Sequence, residues 1–267
     1  MPYKLCLWGS LSALEWSQAV WKVGGYTADV HLCEKELLHA VLFRYLRKDA
    51  LIVDAGCGTA RWPIYLRRHG YRAFGVEIDH GAGRFARQQE PGLDIVQADV
   101  WRMPLKSASV DVVLSLGVVE HNENGPLGAL QEARRVLRSG GLLLLAVPYN
   151  NLSRRLIVNH LQTYVNWKRS KIHREFRFGE YRFSKPELRS LLQRAGFEAV
   201  AAYPNDTLPP WTVGPWVDYS NLTFSPLVPR TSEPFIFPGF AGTLARTALR
   251  VFPWLVCAEV VFVARAR

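Results

Sequence analysis

The chain has 267 residues, of which 49% are hydrophobic and 21% charged. It is therefore long and apolar enough for a large α/β domain with a buried core, which argues against disorder. The net charge of +10 allows an anionic partner, but Lys and Arg are spread along the chain, which disfavours nucleic acid. The four cysteines form no C-x-x-C pair and indicate neither a zinc site nor disulfides, which favours a cytoplasmic protein.

From residue 50 onward, short apolar runs alternate with helix-like stretches, as in βαβ units that wind a mostly parallel sheet. The pattern predicts seven strands, at residues 50–54, 72–77, 94–97, 110–115, 142–147, 198–203 and 258–264. It predicts helices at residues 61–69, 82–89, 126–137 and 185–195. Ser139-Gly140-Gly141 is expected to end the third helix before a strand begins at Leu142. The predicted fold class is α/β, with a doubly wound seven-stranded sheet and inserted lid regions.

Three regions depart from this alternation and define the predicted domain organisation. Residues 1–32 are rich in Trp and Tyr and form an expected N-terminal aromatic cap. Residues 150–182 are basic and aromatic, as in a lid-like insertion, and residues 204–256 hold many prolines between the last two strands. The core is then expected to comprise residues 33–203 and 257–267, with 204–256 as an acceptor-side subdomain.

A glycine-bearing turn follows the first core strand. In Val53-Asp54-Ala55-Gly56-Cys57-Gly58, the glycines allow a sharp turn and a close approach of backbone to a ligand. Glu77 ends the next strand, about 20 residues on, where an acid can accept hydrogen bonds from both ribose hydroxyls. Asp99 follows the third strand, where a carboxylate can receive the adenine amine. Together these positions outline a bound adenosine.

The turn also discriminates between two adenosine cofactors. A dinucleotide fingerprint has a third glycine where this chain has Arg61. Its absence disfavours a nicotinamide-dependent oxidoreductase, which stays open as an alternative, and leaves an adenosyl-sulfonium as the expected cofactor.

At these residues the chain resembles the type 11 group of class I S-adenosylmethionine-dependent methyltransferases. The resemblance extends over residues 49–203 through further segments: Met103-Pro104-Leu105, Asp111-Val112-Val113-Leu114-Ser115, Val119-Glu120-His121, Glu132 to Gly141, Tyr181-Arg182-Phe183-Ser184 and Ala195-Gly196-Phe197. It implies a Rossmann-like methyltransferase fold, S-adenosyl-L-methionine as cofactor and no metal site.

The resemblance also implies roles for particular residues. The methionine moiety would be lined by Asp54, Gly56 and Gly58. The ribose would be bound by Glu77, the adenine by Asp99 and the Val100 backbone, and the inner edge of the cofactor by the Leu116-Gly117 backbone. Many members have glycine where Ala60 stands, and Arg61 would either pair with the cofactor carboxylate or be an exposed helix-start residue.

His121 is the candidate catalytic base, because it follows the fourth strand at the edge where such sheets bind ligands. A structural role for Glu120-His121 stays open. We expect methyl transfer to a small-molecule, lipid-like or glycosidic acceptor, with a noncatalytic cofactor-binding module as a further alternative. The acceptor pocket, or simply the packing of a subdomain, would use these aromatic residues: Trp8, Trp16, Trp21, Tyr26, Trp211, Trp216 and Tyr219.

Basic and apolar residues interleave between Arg154 and Arg174. They suit either an amphipathic element in peripheral contact with an anionic membrane surface or a solvated lid helix.

Overall fold

A computed structural model describes residues 2–8, 30–170, 176–205, 243, 244, 247 and 250–267. Seven of its strands form one sheet: β2 (Leu51–Ala55), β3 (Arg72–Glu77), β4 (Ile95–Gln97), β5 (Val110–Leu116), β6 (Leu137–Pro148), β8 (Phe197–Asn205) and β9 (Glu259–Ala266). Their order is β4-β3-β2-β5-β6-β9-β8. Only β9 runs antiparallel to its neighbours. The predicted seven-stranded, mostly parallel sheet is confirmed.

Four helices of the core follow the predicted alternation: α2 (Arg61–Arg68), α3 (His80–Gln89), α4 (Leu127–Val136) and α6 (Lys185–Arg194). Helix α1 (Leu37–Tyr45) precedes the first core strand and was not predicted. Ser184 and Glu187 form a capping box at the start of α6, as the Ser-x-x-Glu spacing favours. Short 3₁₀ helices lie at Val30–Lys35 and Val119–His121.

The sheet is buried on both faces. Successive side chains of a strand point to opposite sides, so each strand contributes to the packing on both faces. In β6, Leu143 and Leu145 belong to one buried cluster, whereas Leu144 and Ala146 belong to the other. The Leu142-to-Leu145 run is therefore apolar throughout, as expected for a strand buried on both faces.

One predicted boundary is wrong. Helix α4 ends at Val136, and Ser139-Gly140-Gly141 lies inside β6 instead of ending the helix. The terminal helix carbonyls need no glycine cap because the N–H groups of Ala108 and Ser109 donate to the oxygens of Arg135 and Val136.

Several further elements lie outside the core alternation. Strand β1 (Tyr3–Trp8) pairs antiparallel with β7 (Phe176–Arg182) in a two-stranded sheet. A helix covers residues 152–170: it contains a π-turn at Arg154–Val158 and continues as α5 (Asn159–Ser170). The short α7 (Pro253–Val256) precedes β9.

Among the residues described, no helix is long and apolar enough to cross a membrane. Of the predicted pocket aromatics, Trp8 lies at the end of β1. The others, Trp16, Trp21, Tyr26, Trp211, Trp216 and Tyr219, lie outside the described residues.

Candidate functional site

The glycine turn lies at the carboxyl end of β2, in the centre of the sheet. The N–H groups of Gly56 and Cys57 both donate to the carbonyl oxygen of Val76 at the end of β3, at 2.8 and 3.0 Å. Gly56 has a φ of +84°, and a Cβ there would lie 2.6 Å from a methyl carbon of Val118. Packing and backbone conformation therefore already require glycine at this position.

Asp54 is buried at the end of β2, and its Oδ1 atom has no hydrogen-bond partner among the residues that the structure describes. Burial raises the pKa of this carboxyl to about 7; Arg61 opposes the shift, and Glu77 adds to it. A buried carboxylate is costly unless it is paired. The site thus holds an acid that a cationic ligand group would stabilise.

Glu77 connects the two strands that carry the site. Its Oε2 accepts the N–H of Gly58 at 2.7 Å, and its Oε1 accepts the N–H of Asp79 at 2.8 Å. A carboxylate has about four lone-pair positions, so two acceptor positions remain. Glu77 therefore shapes the glycine turn and can still accept bonds from a ligand.

Asp99 lies beside Glu77 but in a different environment. The loop after β4 is held there because the N–H of Ala98 donates to the backbone oxygen of Glu77 at 3.1 Å. Asp99 is exposed, its Oδ1 accepts the N–H of Trp101 at 2.9 Å, and the side chain of Val100 is buried. The structure thus brings Asp54, Glu77 and Asp99 to adjacent strand ends in the sheet.

The Leu116-Gly117 segment closes the opposite side of the glycine turn. Strand β5, which pairs with β2, ends at Leu116, and the N–H of Gly117 donates to the oxygen of Ala146 at 2.9 Å. A Cβ at Gly117 would lie 3.7 Å from Oε1 of Glu120. The segment therefore lies directly against the Glu120-His121 pair.

The buried Glu120 and the partly exposed His121 form an acid–imidazole pair. Glu120 is 2% exposed, and no described residue hydrogen-bonds its Oε2. Its Oε1 lies 3.7 Å from Nε2 of His121, and Nδ1 of His121 lies 3.0 Å from the carbonyl oxygen of Gly179, to which it would donate.

The titration of the two groups is linked. Burial raises the pKa of Glu120 to about 7, although His121 opposes the shift. Burial alone would lower the pKa of His121, but Glu120 and the Gly179 carbonyl outweigh it and raise that pKa. Because the two groups interact, we expect them to titrate as a coupled pair.

Two further acids, Glu36 and Glu259, were not predicted from the sequence. Arg61 faces the buried Glu36, with Nη1 and Oε1 2.5 Å apart, so an ion pair within the chain occupies this arginine. Glu259 begins β9 and accepts a bond from Asn205 at 2.8 Å; burial raises its pKa. The sequence does contain a signal for Glu259, because this acid stands at the start of the apolar run 260–264. No comparable sequence pattern points to Glu36.

Comparison with known proteins identifies a domain within the chain. Residues 53–145 match the family described as "Methyltransferase domain", type 11. The chain is 35% identical over 97 residues to a malonyl-[acyl-carrier protein] O-methyltransferase of Yersinia pestis, a match that covers 36% of each chain. It is 29% identical over 135 residues to the ubiquinone/menaquinone biosynthesis C-methyltransferase of Campylobacter jejuni, covering 46% of this chain and 55% of that protein. The matched segment thus spans between about a third and about half of these relatives.

Solved structures share the fold at low sequence identity. A geranyl diphosphate C-methyltransferase from Streptomyces coelicolor superposes with a TM-score of 0.55 and 16% identity, over 85% of this chain and 78% of that one. An S-adenosylmethionine-dependent methyltransferase from Mesorhizobium loti gives 0.53 and 15%, over 85% and 96%. These findings show that residues 53–145 carry a type 11 methyltransferase domain and that the chain has the fold of class I S-adenosylmethionine-dependent methyltransferases.

Proposed function

We propose that this protein transfers a methyl group from S-adenosyl-L-methionine to a small-molecule, lipid-like or glycosidic acceptor. The observation that carries the proposal is the buried carboxylate of Asp54, one oxygen of which has no hydrogen-bond partner among the described residues. It lies at the carboxyl ends of the parallel strands, within the segment that matches the methyltransferase domain. S-adenosylmethionine, when bound, supplies a methyl group on a sulfonium that is already an activated leaving group. The protein has mainly to orient the acceptor and exclude water.

The residues present fit this cofactor. Asp54 would receive its ammonium group, beside the turn of Gly56 and Gly58. Such a charge would satisfy the buried carboxylate, which the residue's pKa of about 7 marks as uncompensated.

The adenosine moiety would extend along the neighbouring strand ends. Glu77 retains acceptor capacity for the ribose hydroxyls, and the exposed Asp99 with the Val100 backbone would receive the adenine. The Leu116-Gly117 backbone would form the inner edge, adjacent to the acceptor.

We infer that His121 is the general base when the acceptor carries a proton that must leave. Its side chain is 37% exposed, so an acceptor can reach it. The Gly179 carbonyl orients the ring by accepting the Nδ1 proton, which leaves Nε2 as the basic atom. Glu120 lies on the Nε2 side at 3.7 Å and stabilises the imidazolium that forms, so it acts as a positioning residue.

The relatives favour an apolar or thioester-linked acceptor. Their names specify malonyl-[acyl-carrier protein] and ubiquinone/menaquinone biosynthesis, and a solved neighbour holds geranyl diphosphate. The family match weighs against a nicotinamide-dependent oxidoreductase. A noncatalytic module is the remaining alternative.

The test is methyl transfer from labelled S-adenosylmethionine to a panel of quinols, prenyl diphosphates, carboxyl thioesters and glycosides. We expect one class to be methylated, and His121→Ala to lower turnover while S-adenosylhomocysteine affinity is unchanged. Equal loss of turnover and affinity would make His121 a cofactor or structural residue. Tight S-adenosylhomocysteine binding with no transfer to any class would favour the noncatalytic module.

A further inference from the structure

The helix at residues 152–168 has its polarity reversed relative to an ordinary surface helix. Its exposed side chains include the apolar and aromatic residues Leu152 (47% exposed), Leu156 (65%), Ile157 (58%), Leu161 (47%), Tyr164 (51%) and Trp167 (54%). Its buried side chains, together with Asn151 just before it, are polar: Asn151, Arg154, Asn159 and Gln162. A helix that packs on a protein core in water shows the opposite arrangement.

The π-turn brings the exposed residues onto one face. The N–H of Asn159 donates to the oxygen of Arg154, five residues earlier, so this turn contains one residue more than an α-helical turn. The extra residue rotates all later side chains backward about the helix axis by roughly 100°, the angle of one α-helical residue. Leu161 and Tyr164 therefore continue the line that Leu152 and Leu156 begin.

Polar contacts fix the helix in this orientation. Nη1 of Arg154 donates to the carbonyl oxygens of Tyr149 and Ala258, at 2.7 and 2.8 Å. Nδ2 of Asn159 donates to Oδ1 of Asn150 at 3.0 Å. Because these bonds join the buried face to the end of β6 and the start of β9, the helix cannot turn its apolar face inward without breaking them.

The helix itself carries cations and no acidic side chain. Arg155 and Lys168 are exposed on it, and Nζ of Lys168 lies 5.0 Å from the centroid of the Tyr164 ring. The sequence contains no Asp or Glu from residue 133 to residue 174. An apolar stripe with aromatic residues at its end, on a helix that carries cations and no acid, matches the headgroup region of an anionic bilayer.

A second group of exposed apolar residues lies on the adjoining segment. Val251 is 59% exposed and Phe252 is 62% exposed, just before α7. Nδ2 of Asn151 donates to the oxygen of Cys257 at 3.0 Å, which ties this segment to the start of the helix.

We propose that the exposed face of the 152–168 helix seats the protein on an anionic lipid bilayer. This proposal deepens the proposed function and rests on it in one point: an enzyme bound to the bilayer would take its lipid-like acceptor from the bilayer. Vesicle binding itself needs neither cofactor nor acceptor.

The test is flotation of the full chain with vesicles of phosphatidylcholine alone, or of phosphatidylcholine with an equal part of phosphatidylglycerol. We expect binding to the anionic vesicles that weakens at high salt. Leu156→Ser/Ile157→Ser should lower the partition coefficient at least about tenfold, since each side chain loses apolar burial. Val200→Ser is the matched control, because Val200 is 45% exposed on β8, and it should bind as the wild type does.

Two control measurements, of S-adenosylhomocysteine affinity and of unfolding temperature, separate a loss of vesicle binding from a loss of folding. Unchanged S-adenosylhomocysteine affinity and unfolding temperature in the double variant would establish that it is folded. Wild-type protein that stays unbound, or a double variant that binds as well as wild type, would overturn the proposal. So would a concentration-dependent dimer that the double variant abolishes, because the occupant would then be a second copy. Wild-type protein that binds vesicles but not S-adenosylhomocysteine would contradict the proposed function alone.

Discussion

Asp54→Asn should stabilise the protein and weaken its cofactor site. The pKa of Asp54 rises from 3.8 to about 7 on burial. One pKa unit corresponds to about 1.4 kcal/mol, so ionising this group costs the folded state roughly 4 kcal/mol above pH 7. The folded pKa is the higher one, and the contribution of Asp54 to stability is therefore lost as pH rises from about 4 to about 7. Asparagine keeps the shape and carries no charge.

The assay is urea unfolding of the ligand-free protein at two pH values. At about pH 8 we expect Asp54→Asn to be more stable than wild type by up to roughly 4 kcal/mol, and at about pH 5 by only roughly 1 to 2 kcal/mol. Its affinity for S-adenosylhomocysteine should fall at least about tenfold, because a charge-assisted bond to the ligand ammonium is lost. A variant that is destabilised equally at both pH values would refute the reasoning.

Two other comparisons test the site. Glu77→Ala should weaken S-adenosylhomocysteine binding by about 1 to 3 kcal/mol and also lower the unfolding temperature, since its oxygens accept two backbone N–H bonds. Asp99→Ala should weaken S-adenosylhomocysteine binding, measured by titration, without lowering the unfolding temperature, because Asp99 is exposed. Unchanged affinity in both the Glu77 and the Asp99 variant would contradict the site assignment. Gly56→Ala should destabilise more than Gly125→Ala in urea unfolding, because both have positive φ but only Gly56 meets another residue; equal effects would refute the packing argument.

The sequence predicted what depends on local pattern. Buried strands such as Leu51–Ala55 are read from apolar runs, and parallel strands place their carboxyl ends at one edge. The spacing from Asp54 to Glu77 and Asp99 therefore predicted their adjacency, which the structure confirms. Their binding roles stay predictions.

Contacts between distant segments could not be predicted in the same way. The pairing of Arg61 with Glu36 depends on how the short helix Val30–Lys35 packs against α2, and no local pattern encodes it. The burial of Glu120 likewise follows from tertiary packing, although Val119-Glu120-His121 is one of the segments that carry the family resemblance. The end of α4 was misplaced because Ala108 and Ser109, far along the chain, replace the glycine cap.

Calorimetric titration of the full chain with S-adenosylhomocysteine, with NAD titrated in parallel, tests the central claim most directly. We predict binding of S-adenosylhomocysteine alone, with an affinity that weakens as pH falls below about 7, where Asp54 takes up a proton. Binding of NAD, or of neither compound, would contradict the account.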